Sequence, residues 1–174
     1  MSADRDRFER VFRAHYAAVT RYAIRRVGVD GADDVVAETF LVAWRRLDRV
    51  PTDALPWLYA TARRVIANER RRHSRAERLG KRVEAEPRSA SPDPGESVTD
   101  GIRVRMALAT LSERDREVLL LTEWEQLGAA EAAHVLGCTK ASFTVRLHRA
   151  RRRLGRALED NEPVTALVAE GGTA

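Results

Sequence analysis

A single cysteine, Cys138, among 174 residues excludes an intrachain disulfide and a cysteine-based metal site. No apolar run approaches the ~20 residues of a membrane span, and the charged start, M-S-A-D-R-D-R, lacks the apolar core of a signal peptide. A soluble, cytoplasmic protein without membrane insertion is expected. His15, His73, His134 and His148 fall in no metal-ligand spacing, and there is neither a G-x-S-x-G elbow nor a phosphate-cradling glycine loop. The carboxylate pairs Asp33–Asp34 and Glu123–Glu125 read as solvated helix faces rather than acid/base couples. Neither an enzyme nor a metal or other cofactor is expected. Glycine is sparse, with 10 residues, while Ala, Arg, Leu and Glu dominate, which favours an all-α build.

What is present points to an anionic partner. The hydrophobic fraction of 44% suffices for packed cores, and the net charge of +5 most simply suits nucleic acid. Charge is concentrated in Gly137 to Arg156, which carries Lys140, Arg146, Arg149, Arg151, Arg152, Arg153 and Arg156 and no acidic residue. Before it, Leu127 to Leu136 reads as a short helix closed by Gly137. A short helix, a glycine turn and a basic helix form the pattern of a helix-turn-helix DNA reader. In the basic helix, capped by Thr139, the apolar residues Phe143, Leu147, Ala150 and Leu154 form one stripe that packs on its neighbours.

Along the chain, Arg5 to Val27 repeats apolar residues at helical spacing, as one helix or a closely spaced pair stopped by Gly28. Asp30 is the expected N-cap of the next helix, whose buried face is Val36, Ala37, Phe40, Trp44 and Leu47. After a loop at Asp48 to Leu55, Pro56 opens a third helix that turns strongly basic from Arg63 to Arg75. Trp57 and Tyr59 beside these arginines suit stacking of unpaired bases, although Trp57 fits a core equally well and Trp44 fits one better. Residues 76–101 read as a polar, Pro- and Ser-rich linker. Beyond it, Ile102 to Leu111 is helical, and Ser112 caps a further helix that buries Val118, Leu119 and Leu121. The chain therefore divides into a first module at 1–75, the linker at 76–101, a second module at 102–158 and a tail at 159–174.

Two helical DNA-binding modules on a polar tether resemble a known family, the bacterial RNA polymerase sigma factors of the extracytoplasmic-function (ECF) group, in their minimal two-domain form. The resemblance spans about residues 6–157. It rests on A-D-D-V-V-A-E-T-F-L-V-A-W-R-R-L at 32–47, P-W-L-Y-A-T-A-R-R-V-I-A-N-E-R-R-R at 56–72, L-S-E-R-D-R-E-V-L-L-L at 111–121 and R-L-H-R-A-R-R-R-L at 146–154. It implies that the first module is sigma region 2, which binds core RNA polymerase and opens the minus-ten element. Asp33, Asp34, Glu38, Phe40 and Trp44 match the core-binding helix. Trp57, Arg63, Arg64, Asn68 and Arg71 lie on the helix beside the loop that captures a flipped base. Flipping costs a few kcal/mol, which stacking in a pocket offsets.

The second module resembles region 4, the helix-turn-helix reader of the minus-thirty-five element. Ser142, Thr144, Val145, His148 and Arg149 match its contact positions, with Lys140 and Arg146 near phosphates. Two departures stand out. Arg64 replaces a common asparagine, so no base-specific role is carried over to it. Ser142, Phe143, Thr144 and Val145 replace the usual threonine, valine, lysine and serine, which leaves Val145 an apolar contact, for example to a thymine methyl. Shape readout of a stiff A-tract could supply the rest. The acidic stretch Glu113 to Glu131 is expected to face away from DNA, towards the polymerase.

The implied partners are core RNA polymerase, promoter DNA and an anti-sigma factor, with a monomer in the holoenzyme. A stand-alone helix-turn-helix repressor or activator would explain Gly137 to Arg156 but not the first module. A helical adaptor would not explain the split of charge. The 26-residue linker averages roughly 25–30 Å as a coil and reaches about 85 Å stretched, so it is expected to be slack in the free chain.

Overall fold

The computed structural model describes residues 2–78 and 98–160, and every regular element among them is helical. Helix α1, Ser2–Val27, is one unbroken helix, so the choice between one and two resolves to one. Gly28 ends it with its N–H on the Ile24 carbonyl at 2.9 Å and a φ of 78°, which a side-chain-bearing residue rarely adopts. Gly28 also serves as N-cap of α2, Val29–Arg45. Asp30 is thus not the cap but part of the first turn, where its charge still favours the helix dipole. A short 3₁₀ turn, Leu47–Arg49, leads into a loop whose Val50 and Ala54 are buried, and Arg7 donates to the Val50 carbonyl at 2.6 Å. Helix α3 is Leu55–Arg78.

The second group of helices starts with α4, Val98–Thr110. The expected linker therefore loses both ends to helix, residues 76–78 to α3 and 98–101 to α4, and residues 79–97 lie outside the described residues. Helix α5, Glu113–Leu119, begins at Ser112, whose Oγ accepts from the Asp115 N–H at 3.2 Å as its spacing implied. It runs on into a π-helical segment, Leu120–Trp124, in which Glu125 N–H reaches the Leu120 carbonyl at 3.0 Å. Helix α6, Ala129–Leu136, starts later than Leu127 because Glu131 accepts from the Gly128 N–H at 2.7 Å and sets the first turn there. Gly137, in the left-handed conformation with φ 65°, turns the chain into α7, Lys140–Asp160. Thr139 accepts from the Ser142 N–H at 3.2 Å at the start of α7.

Apolar burial explains how these helices stack. Val19, Tyr22 and Ala23 of α1, Val35, Phe40 and Ala43 of α2, and Leu58, Ala62 and Ile66 of α3 form a core that continues without a break into Val118, Leu121, Ala132, Ala133, Val135 and Phe143. A satellite cluster, Leu108, Leu111, Leu119 and Ala150, joins α4 and α5 to α7. Helix α3 packs on α6, so the two modules share one apolar seam. Phe143 and Ala150 are fully buried and Leu147 and Leu154 half-buried, as the stripe required.

Candidate nucleic-acid interface

Helix α3 presents two separate faces. Trp57, Thr61, Arg64, Asn68 and Arg72 recur at helical spacing along a groove of about 810 Å³ between α3 and α2. Asp34 and Glu38 form the opposite wall. The groove brings part of the expected minus-ten set beside part of the expected polymerase-binding set. Arg63 and Arg71 fall on the other face of α3, in a cleft of about 410 Å³ shared with α5 and α7. The five residues expected to act on one DNA element therefore divide, three to one groove and two to the other.

The polymerase-facing set also divides, by burial. Asp33, Asp34 and Glu38 are exposed, whereas Phe40 is 4% exposed and lies inside an aromatic cluster with Phe8, Phe12 and Tyr16. Phe40 supports that surface rather than displaying itself. Trp44 reverses the expectation that it belongs to the core: it is 46% exposed and meets Phe8 edge-on at 5.2 Å. The α2 period places Trp44 at the rim of the helix, where one ring edge packs and the other meets solvent. Ala37 is likewise exposed rather than part of the buried face, which Val35, Thr39 and Ala43 occupy instead.

On α7, Lys140, Ser142, Thr144, Val145, His148 and Arg149 are all exposed, and Val145 is 52% exposed despite its apolar side chain. That outer face is open to a duplex. Arg146 is the exception, half-buried and turned into the cleft with Arg63 and Arg71. Two further arginines of α7 serve the fold. Arg151 donates to Glu123 at 2.8 Å, and Arg153 pairs with the buried carboxylate of Asp115.

The stretch Glu113 to Glu131 does not form an outward acidic surface. Glu117 and Glu125 turn into the first module. Arg25 donates to Glu125 at 2.7 Å, and Arg26 donates to Glu117 at 3.0 Å and to Glu125 at 2.9 Å. The Tyr22 hydroxyl donates to Glu117 at 3.2 Å, and the Arg26 guanidinium lies 3.4 Å above the Tyr22 ring. Tyr59 stacks on Tyr22 at 4.7 Å. Burial, with the Glu125 carboxylate adding to it, pushes the Tyr59 phenol well above its ordinary range, so it remains a neutral donor. Arg70 pairs with Glu113 at the cleft's edge. In a regular α-helix, at 3.6 residues per turn, Glu117 and Glu125 would stand ~80° apart. The wider π turn between them narrows that offset and lets both reach Arg26.

Tyr22, Arg25, Arg26 and Glu117 were not singled out by the sequence, while Tyr59, expected to stack on unpaired bases, and Glu125, expected on a solvated helix face, are both buried at this contact instead. The sequence's only trace of the contact is an arginine pair before Gly28 and two glutamates eight residues apart. No group of three His, Cys, Asp or Glu among the described residues could hold a metal ion. No helix among them is long and apolar enough to cross a membrane.

The family model for Sigma-70 region 2 matches residues 11–76, and that for Sigma-70 region 4 matches residues 102–154. Two such domains in this order, one bearing the α2–α3 groove and one the helix-turn-helix, define a promoter-directing RNA polymerase sigma factor. The ECF RNA polymerase sigma factor SigL of Mycobacterium tuberculosis is 32% identical over 151 residues, which cover 84% of this chain and 85% of SigL. The RNA polymerase sigma factor YlaC of Bacillus subtilis is 29% identical, covering 86% and 91%. The sigma factor RpoE of Bartonella quintana, solved in complex with the anti-sigma factor NepR, superposes with a TM-score of 0.73 at 25% identity, covering 89% of this chain and 98% of that one. The chain belongs to the ECF sigma factors of the sigma-70 superfamily. A stand-alone helix-turn-helix regulator would leave the region 2 domain without a counterpart.

Proposed function

We propose that this sigma factor rests in the closed form and opens to engage core RNA polymerase and promoter DNA in the cytoplasm, acting as a monomer in the holoenzyme and as an initiation factor rather than an enzyme. The observation that carries the reading is the placement of Arg63 and Arg71 of region 2 against Arg146 of region 4 in one cleft. Promoter elements more than one and a half turns apart are separated by ~55 Å along the duplex. Residues that share a cleft cannot serve two such elements at once, so promoter engagement requires the modules to part.

In the open form, the exposed Asp33, Asp34, Glu38 and Trp44, backed by Phe40, form the polymerase-facing side of α2. Trp57, Arg64 and Asn68 face the melted minus-ten strand from the α2–α3 groove, and Arg63 and Arg71 neutralise phosphates once uncovered. Lys140, Ser142, Thr144, Val145, His148 and Arg149 face the minus-thirty-five duplex, joined by Arg146 after opening. The complex formed by the Bartonella relative supports an anti-sigma factor as a further partner.

Run-off transcription with core polymerase and a pool of promoter fragments tests the function directly. Spin labels on the two modules should show distances that lengthen when the holoenzyme assembles. No initiation on any fragment, with tight duplex binding by the chain alone, would instead mark a stand-alone regulator.

A further inference from the structure

The cleft between the modules is more basic than its own carboxylates can balance. Eight arginines and two glutamates line it. Half of those arginines are accounted for: Arg25 and Arg26 by Glu117 and Glu125, Arg70 by Glu113, and Arg116 by the carbonyls of Leu108, Ala109 and Leu111. Arg63 and Arg71 of α3, Arg114 of α5 and Arg146 of α7 have no carboxylate partner among the described residues. Arg71 reaches only the Asn68 amide oxygen. Like charges brought to one cleft by three helices repel unless an anion sits among them.

We propose that this cleft binds a compact oligophosphate, free or carried on a nucleoside, and that the bound anion holds the two modules closed. A guanidinium fork matches phosphate oxygens two at a time. Four forks around one space call for several anionic oxygens in a single small group, which a chain of phosphates supplies and a lone carboxylate does not. The space, about 410 Å³ with Ile66, Leu120 and Leu136 as apolar wall, is of small-molecule size. The ligand bridges the modules, since Arg63 and Arg71 belong to one and Arg114 and Arg146 to the other. Given the promoter roles proposed above for Arg63, Arg71 and Arg146, it also competes with promoter phosphates.

Calorimetric titration of the full chain with sodium tripolyphosphate, set against sulfate at equal ionic strength, tests the site without DNA or polymerase. Its failure would therefore leave the transcriptional reading standing. One saturable site for tripolyphosphate is expected, with none for sulfate. Arg114→Glu should weaken binding at least tenfold while Arg114→Lys stays within about threefold, both variants being checked for native helicity by circular dichroism. The double variant Glu117→Ala, Glu125→Ala, which parts the modules, should abolish binding because the cleft no longer exists. Adenosine triphosphate tells the sources apart: equal affinity marks the phosphate chain as the whole ligand, and tighter binding marks a nucleoside-borne one. Equal binding of sulfate, indifference to Arg114→Glu, or undiminished binding by the double variant would each overturn the proposal.

Discussion

Replacing Glu125 with alanine should open the molecule without unfolding its modules. Glu125 accepts three hydrogen bonds from the first module: from Arg25 Nη2 at 2.7 Å, Arg25 Nε at 3.3 Å and Arg26 Nη1 at 2.9 Å. Its side chain is 2% exposed and that of Arg26 5%, so both charges are desolvated by closure itself. Removing one partner of a buried pair costs about 3–5 kcal/mol. Here the cost falls on the closed state, because the arginines regain water when the modules part. Taking the lower figure, at about 1.4 kcal/mol per tenfold, the ratio of closed to open chains falls on the order of a hundredfold. The opposing term is the apolar seam between α3 and α6, which the substitution leaves intact. Paired spin labels at Arg45→Cys and Arg152→Cys, both exposed positions, in a Cys138→Ala background report the outcome. The parent should give one short-distance population, and Glu125→Ala a broad distribution shifted to longer distances. An unchanged distribution accompanied by a loss of about 3 kcal/mol in global stability would refute the argument. The ion pairs would then belong to one cooperative fold, with no separable closure.

Three further outcomes are expected. Arg149→Ala should weaken binding to a minus-thirty-five duplex about tenfold, within the range of one lost specific contact, and leave affinity for core polymerase unchanged in a pull-down; loss of both would make Arg149 structural. Arg153→Ala, which leaves the buried Asp115 carboxylate without its cation and with the Ser112 hydroxyl as remaining donor, should cost about 1–3 kcal/mol in urea denaturation, whereas Arg152→Ala, exposed and on the same basic run, should stay within about 0.5 kcal/mol. Gly137→Ala should lower stability by about 1–2 kcal/mol, because an added Cβ meets no neighbour and only the left-handed backbone is strained; a neutral result would place the turn outside the cooperative unit.

Much of the fold was legible because helix formation is local. Gly28, Ser112, Gly137 and Thr139 act on backbone groups within three or four residues of themselves, and each does so in the structure. Asp30 failed as a cap for an equally local reason: Gly28, two residues earlier, already ends one helix and begins the next. The stripe Phe143, Leu147, Ala150 and Leu154 told which side of α7 is buried, and hence which side is left for DNA. Periodicity did less well for Trp44, since its ring is large enough to pack one edge while keeping the rest in solvent.

The sequence by itself thus determined the helices, the caps at Ser112 and Thr139, the two-module order and the outward face of the reading helix. Only the tertiary structure decided what the charges do. Whether an arginine on α7 meets DNA or an internal carboxylate depends on which helix lies beside it. Arg151 and Arg153 are drawn to Glu123 and Asp115, while Arg149 is left outward. The pairing of Arg25 and Arg26 with Glu117 and Glu125 joins residues 91 to 100 positions apart. No spacing rule reaches that far. The packing of α3 on α6, together with the wide turn at Leu120–Trp124, selects which faces of the two modules meet.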